Sequence, residues 1–134
     1  MTPASWALQQ AVFAVLATSA AVRALAGERV FDAVPRGAAF PYVVLGDAVE
    51  TAAGTATDDA SEHRLVVRAW SRAGGHRESK LLARAICEAL DGAVLDLDGH
   101  TLIDLRLREA EYVREHDGAT FRAALTFRAI TEPN

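Results

Sequence analysis

Four histidines, His63, His76, His100 and His116, are the side chains in this sequence best suited to metal binding or proton transfer. A zinc site needs such ligands about three or four residues apart with a further ligand in reach, so that one local element presents them together. None of the four has a neighbour at that spacing. His116 precedes Asp117-Gly118 and His100 follows Asp98-Gly99, so both are expected to be solvated beside turns. Asp96, Asp98 and Asp104 could contact a divalent cation, but they lack the glycine and terminal glutamate of a calcium loop. Asp98 is explained by its turn, and Asp96 and Asp104 by polar strand positions. No metal site is expected.

Nucleophilic chemistry would fall to Ser71, Ser79 or Cys87. Ser71 has His76 nearby in sequence, yet no nucleophile-elbow motif and no oxyanion loop accompany it. Cys87 lies in a helical stretch expected to pack on a sheet, where an inert buried thiol is the default. Gly74-Gly75 before that helix could cradle a phosphate, but the dinucleotide fingerprint needs three spaced glycines and the phosphate loop needs Gly-Lys-Ser/Thr. Neither is present, so the pair reads as a strand-to-helix turn. Catalytic residues and cofactors are therefore expected to be none.

The elements that would position these groups follow from hydrophobic period and turn residues. Thr2-Pro3 reads as a helix start, and Leu8, Val12, Val15 and Leu16 form one helical face. Ser19 caps a short second helix through Ala26, and Gly27 ends it. Arg29–Gly46 is apolar and proline-punctuated: a strand, a turn held by Pro35 and Gly37, then a strand entered through Phe40-Pro41-Tyr42. Arg64–Ser71 alternates, with Leu65, Val67 and Ala69 on one face and Arg64, Val66, Arg68 and Trp70 on the other. A helix to about Leu90 carries the stripe Leu82, Ile86, Leu90. Asp98-Gly99 and Asp117-Gly118 then separate the strands Val94–Leu97, His100–Glu115 and Ala119–Thr131. Ile103, Leu105 and Leu107 share a phase that slips before Ala110 and Tyr112, which places a bulge near Glu109. The class is α+β: a mainly antiparallel sheet with a long C-terminal hairpin, Leu102–Phe127, packed against two main helices. That hairpin can project beyond the domain, and with the edge near Tyr42–Val49 it offers unpaired strand to a neighbour. Leu16, Leu65, Val67, Ile86, Leu105 and Phe127 are the expected core.

Length fits one domain, residues 1–134. Against 14 Lys and Arg stand 18 Asp and Glu, a formal charge of −4, which excludes a general nucleic-acid binder lacking a basic surface. The lone Cys87 gives no internal disulfide. The N-terminus has no basic stretch ahead of its apolar one, so no secretory signal is read. No apolar run approaches the ~20 residues of a bilayer span, so no membrane partner is expected. Glu50–Glu62 lacks any large apolar side chain and reads as a mobile acidic loop carrying Glu50, Asp58, Asp59 and Glu62. Large aromatics off the core phase are preferred interface anchors, especially beside arginine. Phe40, Tyr42, Trp70, Tyr112 and Arg122 are the interface candidates on this ground, and Trp6 lies likewise beside the main stripe of the first helix.

Four segments together carry a resemblance: Ala7–Phe13, Arg29–Gly46, His63–Arg72 and Ala124–Pro133. In their order and spacing the sequence resembles the small tail-assembly proteins of phages, prophages and gene transfer agents, of the tail-terminator or head-tail joining type. The resemblance implies a structural virion protein without catalytic residues, assembled in the bacterial cytoplasm and resident at the tail-head joint. It implies a ring of copies, usually six, that caps the tail tube and joins it to the head-side connector or stopper. DNA would pass through the ring without sequence-specific binding, and the acidic loop would either face that lumen or lie solvated outside. Two alternatives stand beside it: a head-side stopper or adaptor, and a small-molecule-binding α+β domain or enzyme with a site between subunits. A deep pocket with converging polar groups would favour the last.

Overall fold

The structure, a computed structural model, describes residues 2–54 and 59–134. Among them the elements are α1 (Ala4–Thr18), α2 (Ala20–Ala26), β1 (Val30–Phe31), β2 (Tyr42–Ala52), β3 (Ser61–Ser71), α3 (Arg77–Leu90), β4 (Asp96–Leu97), β5 (His100–Arg114) and β6 (Phe121–Pro133). The strands make one six-stranded sheet in the order β1-β2-β3-β6-β5-β4. All neighbours are antiparallel except β1 and β2, which pair in parallel through Val30↔Val43 and Phe31↔Val44. The fold is α+β, as the order of periodic segments implied.

Alternation along the central strands decides which face the helices cover. In β3 the residues His63, Leu65, Val67, Ala69 and Ser71 are buried while those between them are not. In β6 the buried phase is Phe121, Ala123, Leu125, Phe127, Ala129 and Thr131. Both helical stripes close on this face: Leu8, Val12 and Leu16 of α1, and Leu82, Ile86 and Leu90 of α3, join it in one core. Complete burial of each such leucine or isoleucine contributes about 1.5–3 kcal/mol, which is why three per helix suffice to hold α3 against the sheet. All six expected core residues are buried. Ser19 caps α2 as expected, its Oγ accepting from Val22 N at 3.3 Å.

Local readings shift in several places. Thr2 does not cap α1; its hydroxyl donates to Asp98, and Pro3 takes the N-cap position. The stretch expected as Val94–Leu97 shrinks to the two residues of β4, and Val94 is 96% exposed. Glu50 and Glu62 are not in a loop: the β2–β3 ladder continues through Glu50↔His63, Thr51↔Glu62 and Ala52↔Ser61. Asp59 lies in the connection and is exposed, while Asp58 falls outside the described residues. The bulge expected near Glu109 is present between Leu107 and Glu109, and a second lies between Leu102 and Asp104. That second slip turns Ile103 outward, 52% exposed, instead of leaving it in phase with Leu105.

The long hairpin does not project. β6 is paired on both sides, with β3 from Phe121 to Thr131 and with β5 along the same stretch. The edges are partly closed as well. β1 covers β2 at Val43 and Val44 only, and β4 covers β5 at His100 and Thr101 only. Beyond the end of α3, Asp91 Oδ1 accepts from Leu107 N at 2.9 Å and Gly92 N donates to Leu105 O at 2.8 Å, so the helix terminus docks on the β5 edge.

Candidate interface on the open face of the sheet

The residues that could support catalysis are each committed to structure. Ser71 is fully buried, and its hydroxyl donates to Glu78 Oε1 at 2.8 Å. The His76 ring does not approach it as a base but packs edge-on against Phe121, with centroids 4.9 Å apart. Glu78, a carboxylate in the first turn of α3, opposes an anion at that helix start. Cys87 is half-buried, and desolvation first, then Asp91 and Glu88, push its thiol above the ordinary range. Asp98 is bound by Thr2 and Asp104 by Arg106, so the three aspartates do not converge. No group of three potential metal ligands comes together among the described residues.

Two histidines depart from expectation. His63, read only as an isolated residue, is buried at 1% exposure on the covered face, where Nε2 and Thr131 Oγ1 share a hydrogen bond of 2.8 Å. Burial pushes its imidazole below the ordinary range, Glu50 opposes that shift and His100 adds to it. The alternation that buries Leu65 and Val67 already extended back to position 63. His100 is not solvated: its Nε2 donates to the Thr2 carbonyl at 2.8 Å, and its Nδ1 is buried without a partner among the described residues. His116 lies beyond the end of β5, exposed in the turn with Asp117, as expected. In that turn Asp117 accepts from the Thr120 hydroxyl and from the Ala119 and Thr120 amides, which lower its carboxyl to about 2.

The open face offers a different surface. Among the described residues no helix covers it, and its side chains are placed by register. One row reads Tyr42, Trp70, Arg122 and Val113 across β2, β3, β6 and β5. Arg122 is held by Glu115 at 2.8 Å and Glu111 at 3.4 Å, and its guanidinium stands 5.9 Å from the Trp70 ring centroid. Phe40 and Phe31 join Tyr42 at centroid distances of 4.9 and 5.9 Å, and Arg72 lies 4.4 Å over Phe40. Phe40, Tyr42, Trp70 and Arg122 thus form one aromatic-arginine patch. Such cation–π contacts contribute about 0.5–1 kcal/mol at exposed sites, enough to order the side chains before any partner arrives. Tyr112 is not part of it. It sits opposite Ala123 on the covered side, with Lys80 of α3 5.0 Å from its ring.

Two further features exceed the sequence reading, which had singled out Trp6 but neither Phe13 nor the groove beside them. Trp6 and Phe13, 48% and 39% exposed, border a groove of about 430 Å³ with Gln9, Gln10, Asp32 and Leu45, beside the part of β2 that β1 leaves uncovered. Their spacing off the buried stripe of α1 was the available signal. The second is a row of like charges: Arg64, Arg128 and Arg106 are successive cross-strand partners. Only pairing register, which sequence does not display, brings them together. By contrast the void against α1, lined by Leu8, Val12, His63 and Leu65, measures about 30 Å³, one water's worth of space.

Residues 10–132 match the family described as tail completion protein gp17. Among solved structures, the chain is similar to a chain in the virion of a native gene transfer agent particle. The two are 34% identical and superpose with a TM-score of 0.92, over 98% of this chain and 99% of that one. No curated protein matches the sequence.

Proposed function

The chain belongs to the tail completion protein gp17 family, and from that premise we propose that it is a tail terminator. Its role is structural, in tail assembly, and its place is in a phage-like particle. As a terminator, the 134 residues act as one domain, copies of which close head to tail into a six-membered ring. The ring caps the tail tube and offers a surface to the head-side connector, and DNA passes through it without sequence-specific contacts.

The observation that carries this reading is the superposition along nearly the full length of a gene transfer agent virion chain. The geometry agrees with it. The covered face completes a core, whereas the open face presents ordered aromatics beside arginine, the composition favoured at the centre of protein interfaces. Phe40, Tyr42, Trp70 and Arg122 are assigned to subunit or tube contacts. The test is electron microscopy of the purified protein mixed with tail tubes. A six-fold ring at the head-proximal tube end is expected. Density on the head side alone would make the protein a stopper, and absence from both would overturn the reading.

A further inference from the structure

We infer that the arginine row on the open face docks the acidic end of a second copy of this chain, so that each ring contact joins the face of one subunit to the strand ends of the next. This rests on the ring reading above and names the surfaces that would close it.

The row is under electrostatic tension in the isolated chain. Arg64 pairs in register with Arg128, and Arg128 with Arg106, on adjacent strands of an uncovered face. Like charges directly opposite one another in a sheet are destabilising. Internal carboxylates relieve part of this: Glu62 binds Arg128, and Asp104 binds Arg106 at 3.1 Å. Arg64 has no ion-pair partner among the described residues, nor has Arg108, which borders the same depression with Thr126 and Glu109. Both are exposed. The surface therefore offers two free guanidiniums set among paired ones, an arrangement that suits carboxylates presented at intervals.

The same chain carries such carboxylates. At the end of the sheet where β2 and β6 finish, a depression of about 330 Å³ is lined by Thr2, Glu50, Asp59 and His100. Asp98, bound by Thr2, stands at its margin. Neither Glu50 nor Asp59 has an ion-pair partner among the described residues, and both are exposed. Face and end are different surfaces, so their union is heterologous, the head-to-tail type of contact from which rings are built. Nucleic acid fits the arginines less well, because Glu62, Asp104 and Glu109 interleave with them and repel phosphates.

Two charge-reversal variants test this: Arg64→Glu with Arg108→Glu, and Glu50→Lys with Asp59→Lys. Rings are counted by electron microscopy on tail tubes, and folding is checked by circular dichroism. Each variant alone should form rings at least tenfold less readily than wild type, because its face and its end then carry the same sign. An equimolar mixture should recover them, as an alternating ring with an even number of subunits. Rings undiminished in either variant, or no recovery from two folded variants, would overturn the inference while leaving the ring itself intact. Absence of rings from wild type would overturn both. Binding of duplex DNA by wild type that is lost in the arginine variant would reassign the row to nucleic acid.

Discussion

The two faces of a single sheet have been built to different rules. On the covered face, β3 and β6 present Leu65, Val67, Ala69, Leu125, Phe127 and Ala129, all buried under α1 and α3. One residue along, the same strands present Arg64, Arg68, Trp70, Arg122 and Arg128, half-buried or exposed. A period of two separates a surface that makes the fold from one that is left for association. Small residues such as Ala69, Ala123 and Ala129 let the helices approach closely, whereas on the other phase Arg122 and Arg128 stand up from the sheet and are held by ion pairs.

This division is most open to attack at Ile86, which is fully buried at the centre of the α3 stripe. Ile86→Ala should cost about 2–5 kcal/mol in denaturant unfolding, from lost transfer energy plus the cavity left behind. No loss would mean that α3 does not pack on the sheet as described. The open face has a tightly packed position of its own. A Cβ on Gly46 would lie 2.9 Å from the Val66 carbonyl oxygen, with the Arg68 guanidinium closer still. The guanidinium can swing aside but the backbone carbonyl cannot, so Gly46→Ala should cost about 1–3 kcal/mol by overpacking. A neutral substitution would show that the strand bulge between Leu45 and Ala48 yields freely.

Smaller effects probe the buried polar groups. His63 has its imidazole pushed down by burial, so the folded state resists protonating it. The stability it contributes is present above its unfolded value of about 6.5 and is lost as pH falls from there toward its lower folded value. His63→Gln should flatten the stability profile as pH falls below about 6.5. An unchanged slope would place the titration elsewhere. Asp117 behaves in the same sense at lower pH, lowered from 3.8 to about 2 by Thr120 and the Ala119 amide. Its contribution is present above 3.8 and disappears as pH falls through about 2, a shift that carboxyl NMR titration would show and Asp117→Asn would remove.

Much of this division was legible beforehand. Alternation along β3 and β6, the α3 stripe and the two Asp-Gly turns are local signals, and they located the core correctly. What escaped was set by distant partners. The strand expected after Arg29 is present, but its two-residue length and its parallel pairing with Val43 and Val44 had no local signal, and the Leu102–Asp104 bulge that exposes Ile103 has no turn residue to announce it. Glu50 and Glu62 looked like loop residues because the segment lacks apolar side chains, yet backbone pairing carries the ladder through them. On the open face, Trp70 and Arg122 were identifiable as off-phase residues. Their stacking, and the Arg64-Arg128-Arg106 row, needed the register of β3 on β6 and of β6 on β5, for which local spacing holds no signal.

The most direct test of the central claim, that the open face serves association and the covered face serves folding, is Trp70→Ala measured twice. Unfolding of the free protein should shift by about 1 kcal/mol or less, since the residue is half-buried and mainly stacks with Arg122. Electron microscopy of tail tubes should show ring formation reduced at least tenfold, as expected for an anchor worth about 1.4 kcal/mol or more. Rings as abundant as in wild type, with a large loss of folding stability, would contradict it.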